Sequence, residues 1–313
     1  KLNTEFVNFF KNKDGNTTYI MNGDKDKIDQ LSRFLKNHKI DFYSSDNQKL
    51  SVYSYNKNKT VNHSISTADL IIPNFQPRGK LVDVFLERTT KLSDSMTYDI
   101  TAWSLPFVYG LDGYSTSKKI ELKKYKEKKV ENLVDKKSIA YAGIWNHIND
   151  AKFLSNLIEN EIKVRYTEKI IKNGSLTLPH GSLIIYKGDQ TNRNYEKILL
   201  ELADNYKIQL HSIYSGISES GPDLGSDSVK LIKEKNVAIF AGEGNSNSVS
   251  SLNYGAIWHF FEQELKYPLT HLDVENFENI ELDEFDTLII PSGYYGTLGN
   301  EKNLEKIKSW VSK

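Results

Sequence analysis

Three times along the chain a short β-branched or aromatic run passes through a polar loop into an amphipathic stretch, then a second short run, and later a Leu-Ile-Ile run followed by Pro, Gly or polar residues. In the first copy TTYIMNG (17–23) precedes a helix over 25–37, a strand IDFYSS (40–45) and DLIIPNF (69–75). In the second, SIAYAG (138–143) precedes a helix over 149–160, a strand IKVRYTE (162–168) and SLIIYKG (182–188). In the third, VAIFAGEG (237–244) precedes a helix over 252–265, a strand LTHLDVE (269–275) and TLIIPSG (287–293). The distance from first run to Leu-Ile-Ile is 51, 44 and 51 residues, measured Tyr19 to Leu70, Ile139 to Leu183 and Val237 to Leu288. Repetition at such a period is the mark of one supersecondary unit used several times.

Short, nearly continuous apolar runs that alternate with helical stretches predict parallel strands covered on both faces by crossover helices. The expected fold class is therefore α/β, with three related right-handed βαβ-type units and mostly parallel sheets. The helices carry stripes near the 3.6 period that read as core: Ile28, Leu31, Phe34 and Leu35; Phe153, Leu154, Leu157 and Ile158; Ile257, Phe260, Phe261 and Leu265. Between the first two copies, KKIELKKYKEKKVENLVDKK (118–137) holds nine Lys against four acids, and of its residues only Ile120, Leu122, Val130, Leu133 and Val134 suit burial. It reads as a solvated connection. The expected organisation is a first α/β unit with an aromatic cover segment over 1–117, the linker 118–137, a second unit over 138–220 and a third over 221–313, opened by the Gly221-Pro222 turn signal.

Composition narrows the function classes. Forty-one basic residues cancel 41 acidic ones, and only five of the basic residues are Arg, so neither a polyanion nor an anionic membrane is attracted at long range and no nucleic-acid partner is expected. Without Cys, disulfides, Cys-ligated zinc, iron–sulfur clusters and thiol nucleophiles are excluded on this chain. No apolar stretch approaches the ~20 residues of a membrane span. The first residues, KLNTEFVNFFKNKDG, lack a signal-peptide order and read as the interior of a longer protein.

Four constellations bear on chemistry. His259 and Glu262 have the H-x-x-E spacing of a zinc site, with His271 the only His after them; the plain alternative is a His beside Trp258 with Glu262 at the helix surface. Gly242, Glu243, Gly244, Asn245 and Ser246 form a glycine-containing loop between a strand and a helix, where backbone amides favour an anion. The third Gly of a dinucleotide fingerprint is replaced by Asn247, and Asp273, the residue placed to meet a ribose, lies further along than that motif has it. Pro291, Ser292 and Gly293 close the last Leu-Ile-Ile strand; Ser292 has no G-x-S-x-G context. SDSMTYDITAWSLPFVYGLDGY (93–114) places Asp94, Tyr98, Asp99, Trp103 and Tyr109 among apolar residues and reads as a cover over a sheet edge or as an aromatic-lined ligand cleft, with Asp99 and Trp103 as its candidate ligand contacts.

The Pro291-Ser292-Gly293 turn resembles the oxyanion-hole turn of class I glutamine amidotransferase-like domains, in which a Cys nucleophile follows on the next strand. On that likeness the third unit is the truncated opening half of such a domain, and the overall expectation becomes flavodoxin-like or amidotransferase-like. More broadly, DLIIPNFQPRGKLVDVFLERTTKLSDSMTYDITAWSLPFVYGLDGY (69–114), GPDLGSDSV (221–229) and NYGAIWHFFEQELKYPLTHLDVE (253–275), taken in order, resemble the region downstream of the catalytic domain in bacterial carboxypeptidase A-like zinc peptidases. The resemblance implies an exported parent whose zinc sits in its own catalytic domain, that domain being the partner of this chain along with a peptide or small-molecule ligand. It supplies no zinc ligands, cofactor or catalytic residue here. The expected function is an accessory region, for interaction or substrate positioning, without a complete active site. The alternative is a degenerate amidotransferase-like hydrolase or a small-ligand-binding domain using Gly242 to Ser246 and Pro291 to Gly293.

Overall fold

In the computed structural model, which describes residues 16–89, 104–126, 130–244 and 246–313, the chain divides into two units, 1–129 and 130–313. The first is built on β1 (Thr18–Asn22), α1 (Lys25–Asn37), β2 (Tyr43–Ser44), β3 (Gln48–Ser54), β4 (Lys59–Ile65), β5 (Leu70–Pro73), α2 (Gly79–Leu86), α3 (Leu105–Val108), β6 (Asp112–Thr116) and β7 (Lys123–Lys124). Its seven strands form one sheet in the order β4-β3-β6-β1-β5-β2-β7, and every neighbouring pair is antiparallel. Asp24 starts α1 by accepting hydrogen bonds from the backbone N–H of Asp26 and Lys27, which satisfies donors that a helix start leaves free.

Why β1 and β5 read as unbroken apolar runs is clear from their faces. Tyr19, Met21, Leu70 and Ile72 pack with Ile28, Leu31 and Leu35 of α1 in one cluster, while Ile20 and Ile71 pack with Val52, Ile65 and Ile120 in another. Both faces are buried, so alternation disappears.

The second unit opens with β8 (Ala140–Gly143), α4 (Ile148–Glu159), β9 (Arg165–Thr167), β10 (Ile171–Asn173), β11 (Leu176–Leu178), β12 (Leu183–Tyr186), α5 (Tyr195–Tyr206), β13 (Leu210–Ile213) and β14 (Val229–Leu231). Five of these strands form an antiparallel sheet ordered β13-β8-β12-β9-β14, and β10 and β11 pair separately. The two-face rule repeats. Tyr141, Leu183 and Ile185 pack with Phe153 and Leu157 of α4 and Leu199 and Ala203 of α5; Ala140, Ala142 and Ile184 pack with Ile171, Leu178, Ile213 and Leu224.

The rest of this unit contains β15 (Val237–Ala241), β16 (Asn247–Val249), α6 (Ser251–Trp258), β17 (Thr270–Asp273), β18 (Thr287–Ile289), β19 (Gly293–Tyr295) and α7 (Glu301–Val311). Here β17-β15-β18 is a parallel sheet, and β16 with β19 forms an antiparallel ribbon. The helix after α6 widens to a π-helical turn over His259–Leu265.

These sheets correct the expected fold class. The two large sheets are antiparallel, the only parallel sheet among the described residues is three-stranded, and the fold is not flavodoxin-like. The physical reason lies in where the Leu-Ile-Ile strand inserts. β1 and β2 both run antiparallel to β5, so the α1 crossover joins two strands of like direction with β5 slotted between them; β8, β12 and β9 repeat this arrangement. In both cases a hairpin, β3–β4 or β10–β11, intervenes before the Leu-Ile-Ile strand. In the third segment no such hairpin separates β17 from β18, and β18 joins β15 in parallel. A fully covered strand carries the same apolar run in either direction, so the pattern signals burial and leaves direction open.

Smaller differences follow similar logic. Within 118–137, Ile120 and Tyr125 are buried while Leu122, Leu133 and Val134 are exposed; Tyr125 Oη donates to Asp29 Oδ1 at 2.5 Å and β7 extends the sheet. In the third helical stripe Ile257 and Phe261 pack inward, but Phe260 is exposed, because the π-helical turn shifts the phase that a 3.6 period assumes. Among the described residues no helix is long and apolar enough to cross a membrane.

The two-face burial of β5 makes a direct prediction. Ile71→Ala and Ile72→Ala, on opposite faces of one strand, should each lower stability by about 2–5 kcal/mol in urea unfolding. A strand covered on one side only would leave one of the two nearly neutral.

Candidate ligand-binding site

The carboxyl ends of β15, β17 and β18 lie on one edge of the parallel sheet, the edge at which open α/β sheets receive ligands. β15 runs into Gly242, whose φ of +106° turns the chain where a Cβ would stand 2.8 Å from Asp273 Oδ1. Two residues on, a Cβ at Gly244 would lie 2.2 Å from Glu275 Oε1, so a larger residue there would displace that carboxylate from the loop. Asp273 caps the 3₁₀ turn that carries Glu275, accepting from the Glu275 N–H and from Asn276 Nδ2, both at 3.0 Å.

Asn247 ties these pieces together. Its side chain is almost wholly buried, and Nδ2 donates to Glu275 Oε1 and to Thr297 Oγ1, each at 2.7 Å, while Oδ1 accepts from the Thr297 N–H at 3.2 Å. The Ser246 N–H also points to Glu275 Oε1, at 3.4 Å. The β16–β19 pairing sets Val249 opposite Gly293 and Ser248 opposite Tyr294, and the Ser250 N–H donates to the Ser292 carbonyl at 2.9 Å. The loop of Gly242, Glu243, Gly244 and Ser246 and the turn of Pro291, Ser292 and Gly293 are thereby brought to one place. Asn245 lies outside the described residues, as do Asp99 and Trp103.

What the rim can do follows from its charge. The glycine loop is closed around a carboxylate of the same chain, and Glu243 and Asp273 stand beside it, so a phosphate at this loop would face three acids. Asp273 is committed to capping, not held for a ribose. Ser292, Gly293 and Tyr294 are exposed along the outer strand of the ribbon. Among the described residues no hydrogen bond joins the Ser292 hydroxyl to a His or an acid.

A second polar constellation was not legible as such in the sequence. Tyr254 Oη lies 2.7 Å from His271 Nδ1, His271 Nε2 lies 3.2 Å from Glu262 Oε1, and Trp258 Nε1 donates to Glu262 Oε2 at 2.7 Å. The His271 ring thus bridges the Tyr254 hydroxyl and the Glu262 carboxylate through its two nitrogens. Burial, and then the Glu262 charge, push the Tyr254 phenol up, which keeps it protonated and unsuited to act as a nucleophile. The zinc set weighed for His259, Glu262 and His271 does not assemble. Both Glu262 oxygens are engaged, His259 is exposed, and the described residues contain no group of three or more His, Asp or Glu placed to hold a metal ion. The contact of β17 with the π-helical turn was the missed signal, since period-based reading places Glu262 on the outer helix surface.

The chain matches no protein-family model, no curated protein and no solved structure. Its classification therefore rests on the fold and the site just described: a mixed α/β protein with two large antiparallel sheets and a small parallel sheet whose strand ends carry an acidic, internally hydrogen-bonded rim.

The Asn247 hub predicts graded damage. Asn247→Ala strands the Thr297 N–H and removes the shorter of two donors to Glu275 Oε1, and should cost about 1–3 kcal/mol in chemical unfolding. Asn247→Asp sets a second carboxylate against Glu275, and like charges raise the folded-state pKa of the pair. The variant should be less stable than Asn247→Ala at pH 7, recovering as pH falls toward the carboxylate range near ~4, where the pair takes up a proton. Equal stability of the two variants at pH 7 would contradict the geometry.

Proposed function

We propose that this chain is an accessory region of a zinc-carboxypeptidase-like protein, one that positions substrate or holds a partner and has no complete catalytic centre of its own. The observation that carries the reading is the closure of the strand-end rim on itself. Asn247, Glu275 and Thr297 satisfy one another, the glycine loop is filled by the Glu275 carboxylate, and among the described residues no base is hydrogen-bonded to Ser292. Hydrolysis of an amide requires an activated nucleophile, or a water activated by a metal, facing donors that receive the developing oxyanion. The nearest approach to a relay, Tyr254–His271–Glu262, ends in a phenol whose proton is held more tightly than usual. Beside the closed loop, the exposed Ser292 and Gly293 and the two-thirds exposed Tyr294 offer hydroxyls and an aromatic face for contact with a polar ligand.

The parent's zinc enters this reading by resemblance alone. No set of residues described here fits it, and no step is routed through it. The resemblance likewise supplies the exported location and the catalytic domain as intramolecular partner.

Incubating the chain with zinc and N-blocked dipeptides, followed by chromatography of released carboxyl-terminal amino acids and metal analysis after dialysis, tests this. The expected result is no release and zinc far below one ion per chain. Stoichiometric zinc together with turnover would overturn the proposal, as would ammonia released from glutamine by the purified chain.

A further inference from the structure

A cleft of about 660 Å³ lies between α4 and the π-helical turn, inside the second unit and apart from the strand-end rim. Its volume suits a small organic ligand or one side chain of a larger one. Four carboxylates line it, those of Glu159, Glu161, Glu234 and Glu262, against the single ammonium of Lys266. Glu262 is held in place by Trp258 and His271, whereas no ion pair or hydrogen bond among the described residues engages the side chains of the other three.

Ser155 supplies the second, independent observation. It lines the same cleft, is 6% exposed, and its Oγ has no hydrogen-bond partner. A helical Ser usually returns its hydroxyl to the carbonyl one turn back, and a buried hydroxyl left unpaired is the kind of group that a ligand or a water satisfies. Beside it the wall is apolar. Ile158 contributes aliphatic surface, and the ring of Tyr267 is fixed because its hydroxyl donates to the Lys235 carbonyl at 2.7 Å and accepts from the Lys235 N–H at 2.8 Å.

The cleft thus combines uncompensated negative charge, one unpaired hydroxyl and a narrow apolar wall. A point-like metal ion does not match it, since no three carboxylates converge among the described residues. An extended cation does: its methylenes lie along Ile158 and Tyr267 while ammonium or guanidinium N–H groups reach separate carboxylates. We propose that this cleft binds a basic alkyl chain, of the chemistry shared by short diamines and by Lys or Arg side chains. The proposal does not depend on the accessory role argued above.

Calorimetric titration of the intact chain with 1,5-diaminopentane and with the peptide Gly-Lys-Gly, against pentanol, Gly-norleucine-Gly and calcium chloride, tests it. Saturable binding of at least one basic probe is expected, weakened by added salt and not displaced by calcium. The triple variant Glu159→Gln/Glu161→Gln/Glu234→Gln changes exposed side chains only, and circular dichroism checks that it folds; it should bind about tenfold more weakly or worse. Ser155→Ala should weaken binding by a smaller factor. Binding of the diamine alone assigns a free amine as ligand, and binding of the peptide assigns a basic side chain. No binding of either, equal binding of the neutral analogues, an unchanged triple variant, or displacement by calcium would each overturn the proposal.

Discussion

The structure depends on one constraint: in the first two repeats a Leu-Ile-Ile strand buries alternate side chains on opposite faces of a sheet, so both faces must be covered. In the first unit α1 covers one face of β5 and the chain from β3, β4 and Ile120 covers the other. In the second unit α4 and α5 cover one face of β12, and residues of the β10–β11 pair with Leu224 cover the other. Everything else is arranged to supply those covers. Val52 and Ile65 of the β3–β4 hairpin, Ile171 and Leu178 of β10 and β11, Tyr125 and Leu224 are buried because a bare strand face would expose several apolar side chains to water.

The third segment has a different topology, with Leu288 and Ile289 only partly buried and Ile290 exposed, and this is what creates a rim. Because β17, β15 and β18 are parallel, their carboxyl ends share one edge, and the loops leaving them must coexist. Asn247 resolves the crowding by hydrogen-bonding to Glu275 and Thr297, residues that follow β17 and β19 in the chain. A buried amide with all its bonds satisfied rigidifies such a junction, and a carboxylate enclosed by a glycine loop gives the edge a negative character. An acidic, closed rim is consistent with holding neutral or cationic groups and unfavourable to phosphate.

Much of the fold was legible in the residues. The α1 helix has the span expected from Asp24 onward, the Leu-Ile-Ile runs are strands, and each lies beside the first strand of its own copy. Strand direction was not legible, because Ile71 and Ile184 would be equally apolar in a parallel or an antiparallel neighbour pair. The hairpin β3–β4 was missed since its exposed strand β4, with Lys59, Asn62 and His63, carries little apolar signal. At the site, Gly242 to Ser246 and Pro291 to Gly293 were both visible as turn chemistry. Their joining by β16 and β19 was not, because three-residue strands such as NSV and GYY leave no period to read. The Glu262–His271 contact was hidden for another reason: a π-helical turn rotates side chains away from the face that a regular helix assigns them.

Amide hydrogen exchange followed by mass spectrometry tests the central claim most directly, since it reads how each Leu-Ile-Ile strand is paired. β5 and β12 have hydrogen-bonded neighbours on both sides, whereas β18 is, among the described residues, an edge strand with β15 as its one neighbour. The account predicts slow exchange over 70–73 and 183–186 and distinctly faster exchange over 287–290. Equal protection of all three segments would contradict it, and would mean that the third strand is enclosed as the others are.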